Sequence, residues 1–344
     1  MRVLALVHRY VPEHCAGAET MLHSMLRALA GRGHHVTAVL SAQAGHPYEL
    51  DGVRVVPMKT QKDIFSHLGD ADVLVSHLMN TPRTTFLGNW NQIPVALIHH
   101  NTFEPAKRAL LTPQARVDLV AVNSQHMADD LAGWLADRVA AAPPTVIVRP
   151  LADPVEYAAV DGPHDRVTLV NLRPMETGGG GEMGKGAELF WTLAERMPKT
   201  KFLGVKGAYG SQMVRDDLPN AEVLEHVPAA QMRDLVFART RVLLVPSSYE
   251  SWGRVATEAL HSGIPVIAHP TDGLRENLGD AGIFVDREDS DGWVKALRKL
   301  ANPNAYKAAS KRALARAAEL SPDDDMARWC DAVEQVAERG RVPR

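Results

Sequence analysis

The chain has 344 residues, of which 45% are hydrophobic and 23% charged, with a formal net charge of −3. These are globular proportions, with length enough for two α/β domains, and the near-neutral balance gives no support to a nucleic-acid partner. Its two cysteines, Cys15 and Cys330, lack metal-site or disulfide-framework spacing, which fits a reducing cytoplasm, and no run of about 18 apolar residues exists, so any membrane contact would be peripheral.

In chain order, Met1 to Val7 is too short for a signal h-region and reads as a first strand. A loop through Tyr10 to Gly17 follows. Met21, Leu22, Met25, Leu26 and Leu29 then recur at three- and four-residue steps, which predicts a helix from about Ala18 to Leu29. Strands are predicted at His35–Leu40, Gly52–Pro57, Asp72–His77, Pro94–His100 and Leu119–Ser124, the last leading into a helical stretch to Trp134. Alternation of strands and helices implies a parallel sheet covered on both faces. A polar, proline-containing stretch from Ala152 to His164 is the linker, giving domains 1–155 and 156–321 with a C-terminal helix over 322–344. The second series has strands at Val167–Leu172, Lys201–Val205, Ala221–Leu224, Arg241–Pro246 and Ile264–Ala268, with helices after Asp289 and Asn304 that look peripheral.

The stretch from Glu250 to Glu258 carries the most chemistry. It follows a strand-like apolar run that stops at Pro246-Ser247, and it turns into a short helix closed by Ser262-Gly263. Ligands of open α/β sheets bind at such carboxyl ends of strands. The amides of Ser251, Trp252 and Gly253 would open the helix, where free N–H groups and the dipole favour an anion such as a pyrophosphate. Glu258, one turn inside, can accept two hydrogen bonds from a vicinal diol such as ribose, and Glu250 on the loop can meet a second polyol. A capping serine with two solvated helix glutamates is the better reading of either Glu alone, but not of the pair.

This stretch resembles the glutamate-x7-glutamate signature of family 4 retaining glycosyltransferases of the GT-B fold. Gly263-Ile264-Pro265-Val266-Ile267-Ala268, Gly273-Leu274-Arg275-Glu276 and Gly282-Ile283-Phe284-Val285 resemble the elements that follow it in that family, about forty residues in all. The resemblance implies an α/β chain with two Rossmann-like doubly wound domains facing a cleft, and a C-terminal helix that crosses back to the first domain. It also implies transfer of a sugar from an NDP-sugar, UDP- or GDP-linked, to an acceptor, with anomeric configuration retained and no metal ion or other cofactor. The acceptor class stays open: lipid, polysaccharide, small molecule or protein. A GT-B epimerase or hydrolase and a non-catalytic nucleotide-sugar sensor are the alternatives.

Further residues follow from the resemblance. Lys185-Gly186 is similar to the family's Lys-Gly pair, and Arg173 to the arginine that shares the pyrophosphate with it, although Glu176–Met183 stretches the interval between them. Gly17-Ala18-Glu19 resembles the G-G-x-E element near the donor phosphates, with Ala16 in place of the first glycine; a simple one-glycine turn is the other reading. Ile98-His99-His100-Asn101 resembles the strand whose terminal histidine lies by the donor sugar, its carbonyl facing the anomeric centre. That role falls to His100, or to His99 one residue out of register. His77 resembles a position lining the cleft. Gly179 to Lys185 has P-loop spacing, but Gly186 stands where Mg²⁺ binding needs Ser or Thr, and no G-x-G-x-x-G follows a strand. Trp90 and Phe103 read as core aromatics, with an acceptor platform as the alternative.

Overall fold

The computed structural model describes residues 1–14, 16–102, 104–111, 116–138, 142–150, 152–159, 161–175 and 184–341. The chain divides into two units, Met1–Pro150 with Asp323–Arg344, and Leu151–Pro322.

The first unit holds strands β1 (Arg2–Val7), β2 (His35–Leu40), β3 (Tyr48–Leu50), β4 (Val53–Pro57), β5 (Val73–His77), β6 (Val95–His99), β7 (Leu119–Val122) and β8 (Thr145–Ile147), in sheet order β3-β4-β2-β1-β5-β6-β7-β8. All neighbours pair in parallel except β3 with β4. That short hairpin is absent from the sequence reading. Its signal is Asp51-Gly52, a two-residue turn with φ of 50° and 78° at the two positions, the pattern of a tight hairpin. The helix Gly17–Gly31 buries the five apolar residues that predicted it. The helix Pro322–Arg341 packs Trp329, Cys330, Val333 and Val336 into the same core. Buried polar contacts help to fix it there. Trp329 Nε1 donates to the Met25 carbonyl at 3.0 Å, and Arg149 grips the fully buried Asp325 through Nε at 2.8 Å and Nη2 at 2.7 Å.

The second unit holds β9 (Arg166–Val170), β10 (Lys201–Val205), β11 (Ala221–Leu224), β12 (Thr240–Val245), β13 (Val266–Ala268) and β14 (Ile283–Phe284), all parallel, in order β11-β10-β9-β12-β13-β14. Its strands alternate between two buried faces. Val242 and Leu244 join one core with Phe190, Trp191 and Trp293, while Leu243 and Val245 join the other with Trp252 and Leu260. Near-continuous apolar runs are the mark of a sheet covered on both sides. The helix Ser290–Ala301 corrects the reading of this part as peripheral. Trp293, Val294, Leu297 and Leu300, spaced by one helical turn, lie in that core.

Each sheet has one point where strand order reverses, between β1 and β5 in the first unit and between β9 and β12 in the second. Loops diverge to opposite faces there and leave a crevice at the carboxyl ends.

Candidate functional site

In the second unit, the residues singled out in the sequence sit on the two loops that flank the reversal. Arg173 and Lys185 follow β9, and Glu250 follows β12. Backbone bonds hold Lys185 in place: its amide donates to the Arg173 carbonyl at 3.0 Å, and Ser248 N–H donates to the Gly184 carbonyl at 3.1 Å. Gly186 is left-handed, φ +81°, and a Cβ there would fall 2.5 Å from Pro246 Cγ. Glycine is required because the loop is pressed onto the end of β12. From this platform Lys185 Nζ donates to Glu250 Oε1 at 2.5 Å, and Ser247 Oγ donates to the same oxygen at 2.9 Å. The two side chains are 28% and 15% exposed, so a charged pair sits at the crevice within reach of solvent. The Gly179-to-Lys185 spacing lies mostly outside the described residues, as does the whole Gly178–Gly181 run.

The helix Arg254–His261 begins after Gly253, whose φ is +83°. No side chain caps it. A Cβ on Gly273 would fall 2.3 Å from the Glu250 carbonyl, so the next helix, Asp272–Leu278, backs directly onto this loop. The Trp252 side chain is structural: it is 1% exposed and donates Nε1 to Thr257 Oγ1 at 2.9 Å. Asn277 Nδ2 donates to the Trp252 and Gly253 carbonyls at 2.9 and 3.0 Å, which fixes the turn. The role foreseen for Trp252 concerns its amide and not this side chain.

Glu258 is fully buried among polar neighbours. Arg254 Nε donates to its Oε1 at 3.0 Å, and the Tyr157 phenol lies near enough to act on its charge. Burial raises the Glu258 carboxyl above its ordinary range, opposed by the Arg254 charge. Burial also raises the Tyr157 phenol. Sequence reading missed both partners. Arg254 had a usable signal, the i,i+4 spacing to Glu258 on a predicted helix. Tyr157 had none, because it comes from the stretch read as linker.

In the first unit, Gly17 opens a 15-residue helix whose preceding residue, Ala16, supplies no side-chain cap. A Cβ on Gly17 would meet nothing within 4 Å among the described residues. His77 closes β5, and His100 lies one residue beyond β6. Their rings meet, His77 Nδ1 to His100 Nε2, at 2.9 Å. Burial pushes His77 down to about 4 and His100 well below the ordinary imidazole value, so both rings are neutral near pH 7. His99 points to the other face of the sheet, where it is 2% exposed and its two ring nitrogens have no partner among the described residues. The out-of-register alternative therefore lacks a route to the strand-end site.

Trp90 overturns its reading as a core residue, being 78% exposed and stacked on Phe86. Nor is it placed as a platform. The helix Thr81–Asn91 leaves the carboxyl end of β5 and runs back, so that Gly88 packs against Val95 at the start of β6. Phe103 and Cys15 lie outside the described residues. Among the described residues, no helix is long and apolar enough to cross a membrane.

Comparison with known proteins places this geometry. Residues 193–302 match the model of the family described as glycosyl transferases group 1. That stretch contains Glu250 and Glu258 and leaves Gly17, His100, Arg173 and Lys185 outside. A sucrose-phosphate synthase from Thermosynechococcus elongatus superposes with a TM-score of 0.71 at 16% identity, covering 98% of this chain and 100% of that one. Anabaena HepE in complex with UDP-glucose superposes with a TM-score of 0.69 at 17% identity, covering 98% and 99%. Both sheets thus carry the GT-B fold of solved glycosyltransferases, and the match to glycosyl transferases group 1 lies within the second unit.

Among curated relatives, a D-inositol 3-phosphate glycosyltransferase of Nocardioides is 33% identical over 37% of this chain and 26% of its own length. Proteins of the same name from Xylanimonas cellulosilytica and Corynebacterium diphtheriae are each 28% identical, over 69% and 79% of this chain. The matches span 62% and 56% of those two relatives.

Proposed function

We propose that the protein is a retaining glycosyltransferase that moves a sugar from a UDP- or GDP-linked donor to an acceptor, without a metal ion. The observation that carries this reading is the Lys185–Glu250 pair at the strand-order reversal, beside an uncapped helix N-terminus. Lys185, with Arg173 and the amides of Ser251, Trp252 and Gly253, would neutralise the leaving diphosphate as the glycosidic bond breaks. Stabilising charge that develops in the transition state is the strongest contribution such a site makes. Glu250 would take hydroxyls of the donor sugar, exchanging its contact with Lys185 for them, and fix the sugar's orientation. Glu258 would accept the ribose diol. In the first unit, His100 would present its carbonyl to the anomeric carbon, and the amides at Gly17 would face phosphate or acceptor oxygens. Retention follows from attack on the face the diphosphate leaves, with the diphosphate guiding the incoming hydroxyl.

The test is a thermal-shift screen with UDP-, GDP-, ADP- and dTDP-sugars on wild type and Glu258→Ala, each compared with its own ligand-free midpoint. A ligand at a hundredfold its dissociation constant adds about 2.7 kcal/mol of stability. One nucleotide class should stabilise wild type and lose most of that effect in the variant. No stabilisation by any of the four, or an equal effect in both proteins, would refute the donor site. Turnover in EDTA with the selected donor tests metal independence, and a glycoside rather than free or isomerised sugar is the expected product.

A further inference from the structure

His100 sits one residue beyond β6, so strand pairing decides what flanks it. His77 of β5 pairs with Ile98, and Val122 of β7 pairs with His99. Extending the β7 register by one brings Asn123 opposite His100, whereas His77, paired two residues short of His100, reaches it through its ring. From β5, the His77 ring meets the His100 ring edge-on, with centroids 5.1 Å apart and planes at 77°. From β7, Asn123 donates Nδ2 to the His100 carbonyl at 3.2 Å. We infer that His77 and Asn123 are positioning residues: His77 fixes the tautomer and plane of the His100 imidazole, and Asn123 fixes the direction of its carbonyl. The inference deepens the role proposed for His100 and rests on it.

The nitrogens facing each other at 2.9 Å share one proton. If His77 Nδ1 carries it, His100 Nε2 accepts, and the reverse holds for the other arrangement. Burial disfavours a net charge on either ring and holds both neutral, so each carries one N–H. The tautomer of one ring therefore dictates that of the other, as a hydrogen bond to one imidazole nitrogen does generally. The carbonyl is controlled separately. A peptide oxygen has two lone pairs. The bond from Asn123 to one of them fixes the plane in which the oxygen points. Two neighbouring strands thus hold the two polar groups of a residue whose backbone has just left the sheet. A misplacement of about 1 Å in such a group can cost roughly a hundredfold in rate.

The alternative is a pair of contacts that only satisfies buried polar atoms. Histidine-selective ¹⁵N labelling, with His100 assigned by His100→Gln, separates the two. Wild type should show one neutral His100 tautomer from pH 6 to 8, and His77→Phe should show a mixture. Turnover is read as nucleoside diphosphate released from UDP-glucose and from GDP-mannose. His77→Phe and Asn123→Asp should each lower kcat about 10- to 100-fold with donor KM within about twofold, the mark of lost orientation rather than lost binding. His77→Gln, which returns an amide to face the ring, should recover part of the rate. An unchanged tautomer in His77→Phe, or unchanged kcat in both variants, overturns the inference. Should wild type release diphosphate from neither donor, the glycosyl-transfer reading fails, and the tautomer spectrum alone decides whether His77 controls His100.

Discussion

Both units reverse their strand order once, and they furnish the carboxyl ends of the strands beside that point with opposite electrostatics. In the second unit the groups are ions in pairs, Lys185 with Glu250 and Arg254 with Glu258. In the first they are buried imidazoles held neutral, His77 against His100. A doubly wound sheet supplies the same crevice in either case. What differs is how far each side chain is desolvated and whether a counter-charge lies within reach. Under the proposed function, Lys185 would exchange its partner for the donor's diphosphate, and the neutral groups of the first unit would meet oxygens of the sugar.

Removing one ion from the second unit is the strongest way to break this contrast. The Arg254 and Glu258 side chains are 17% and 9% exposed, so deleting either partner strands the other. Losing one member of such a pair costs about 3–5 kcal/mol. Glu258→Ala should show that loss in urea unfolding, and the double variant Arg254→Met, Glu258→Leu should recover most of it. A single variant as stable as wild type would show that water screens the pair. Lys185→Ala should behave in the opposite manner. Its ammonium is more exposed, so stability should change by less than about 1 kcal/mol. Its kcat at saturating donor should fall about 10²- to 10³-fold, the usual loss for one group that stabilises developing charge. Unchanged turnover would remove Lys185 from the mechanism.

The sequence made the second unit's chemistry legible because it is written in local spacing. Glu250, Gly253 and Glu258 lie on one loop-to-helix junction, and Lys185-Gly186 opens another helix. The strands were legible for a similar reason, since a sheet buried on both faces needs unbroken apolar runs. The contacts that tune the site were not. Tyr157 reaches Glu258 from a segment 101 residues earlier in the chain, and Asn123 reaches the His100 carbonyl across a strand pairing. No short-range pattern encodes such meetings. Trp90 failed for a different reason: its helix has almost no amphipathic pattern, so nothing in the sequence says which side faces water. Asp51-Gly52 did carry a signal, and its hairpin was open to reading.

The two units should also part company in acid, with the smallest of these effects. His99 is buried beside Lys107 and Asp130, and burial lowers it from 6.5 to about 4, with the Lys107 charge adding to the shift and Asp130 opposing it. A histidine whose folded value is depressed takes up its proton more readily in the unfolded chain. Its contribution to stability is complete above pH 6.5 and is lost as pH falls toward 4. A depression of that size amounts to about 3 kcal/mol by pH 4. His77 titrates in the same direction. Glu258 runs the other way. Its folded value is raised, so its contribution is present below the ordinary carboxylate value and lost as pH rises. Native-state hydrogen exchange at pH 7 and pH 5 should therefore find β5 and β6 losing protection in acid while β9 and β12 hold theirs. His99→Leu should reduce the loss in the first unit and leave the second untouched. An equal loss in both sheets would mean that ion pairs elsewhere, not buried imidazoles, set the acid response.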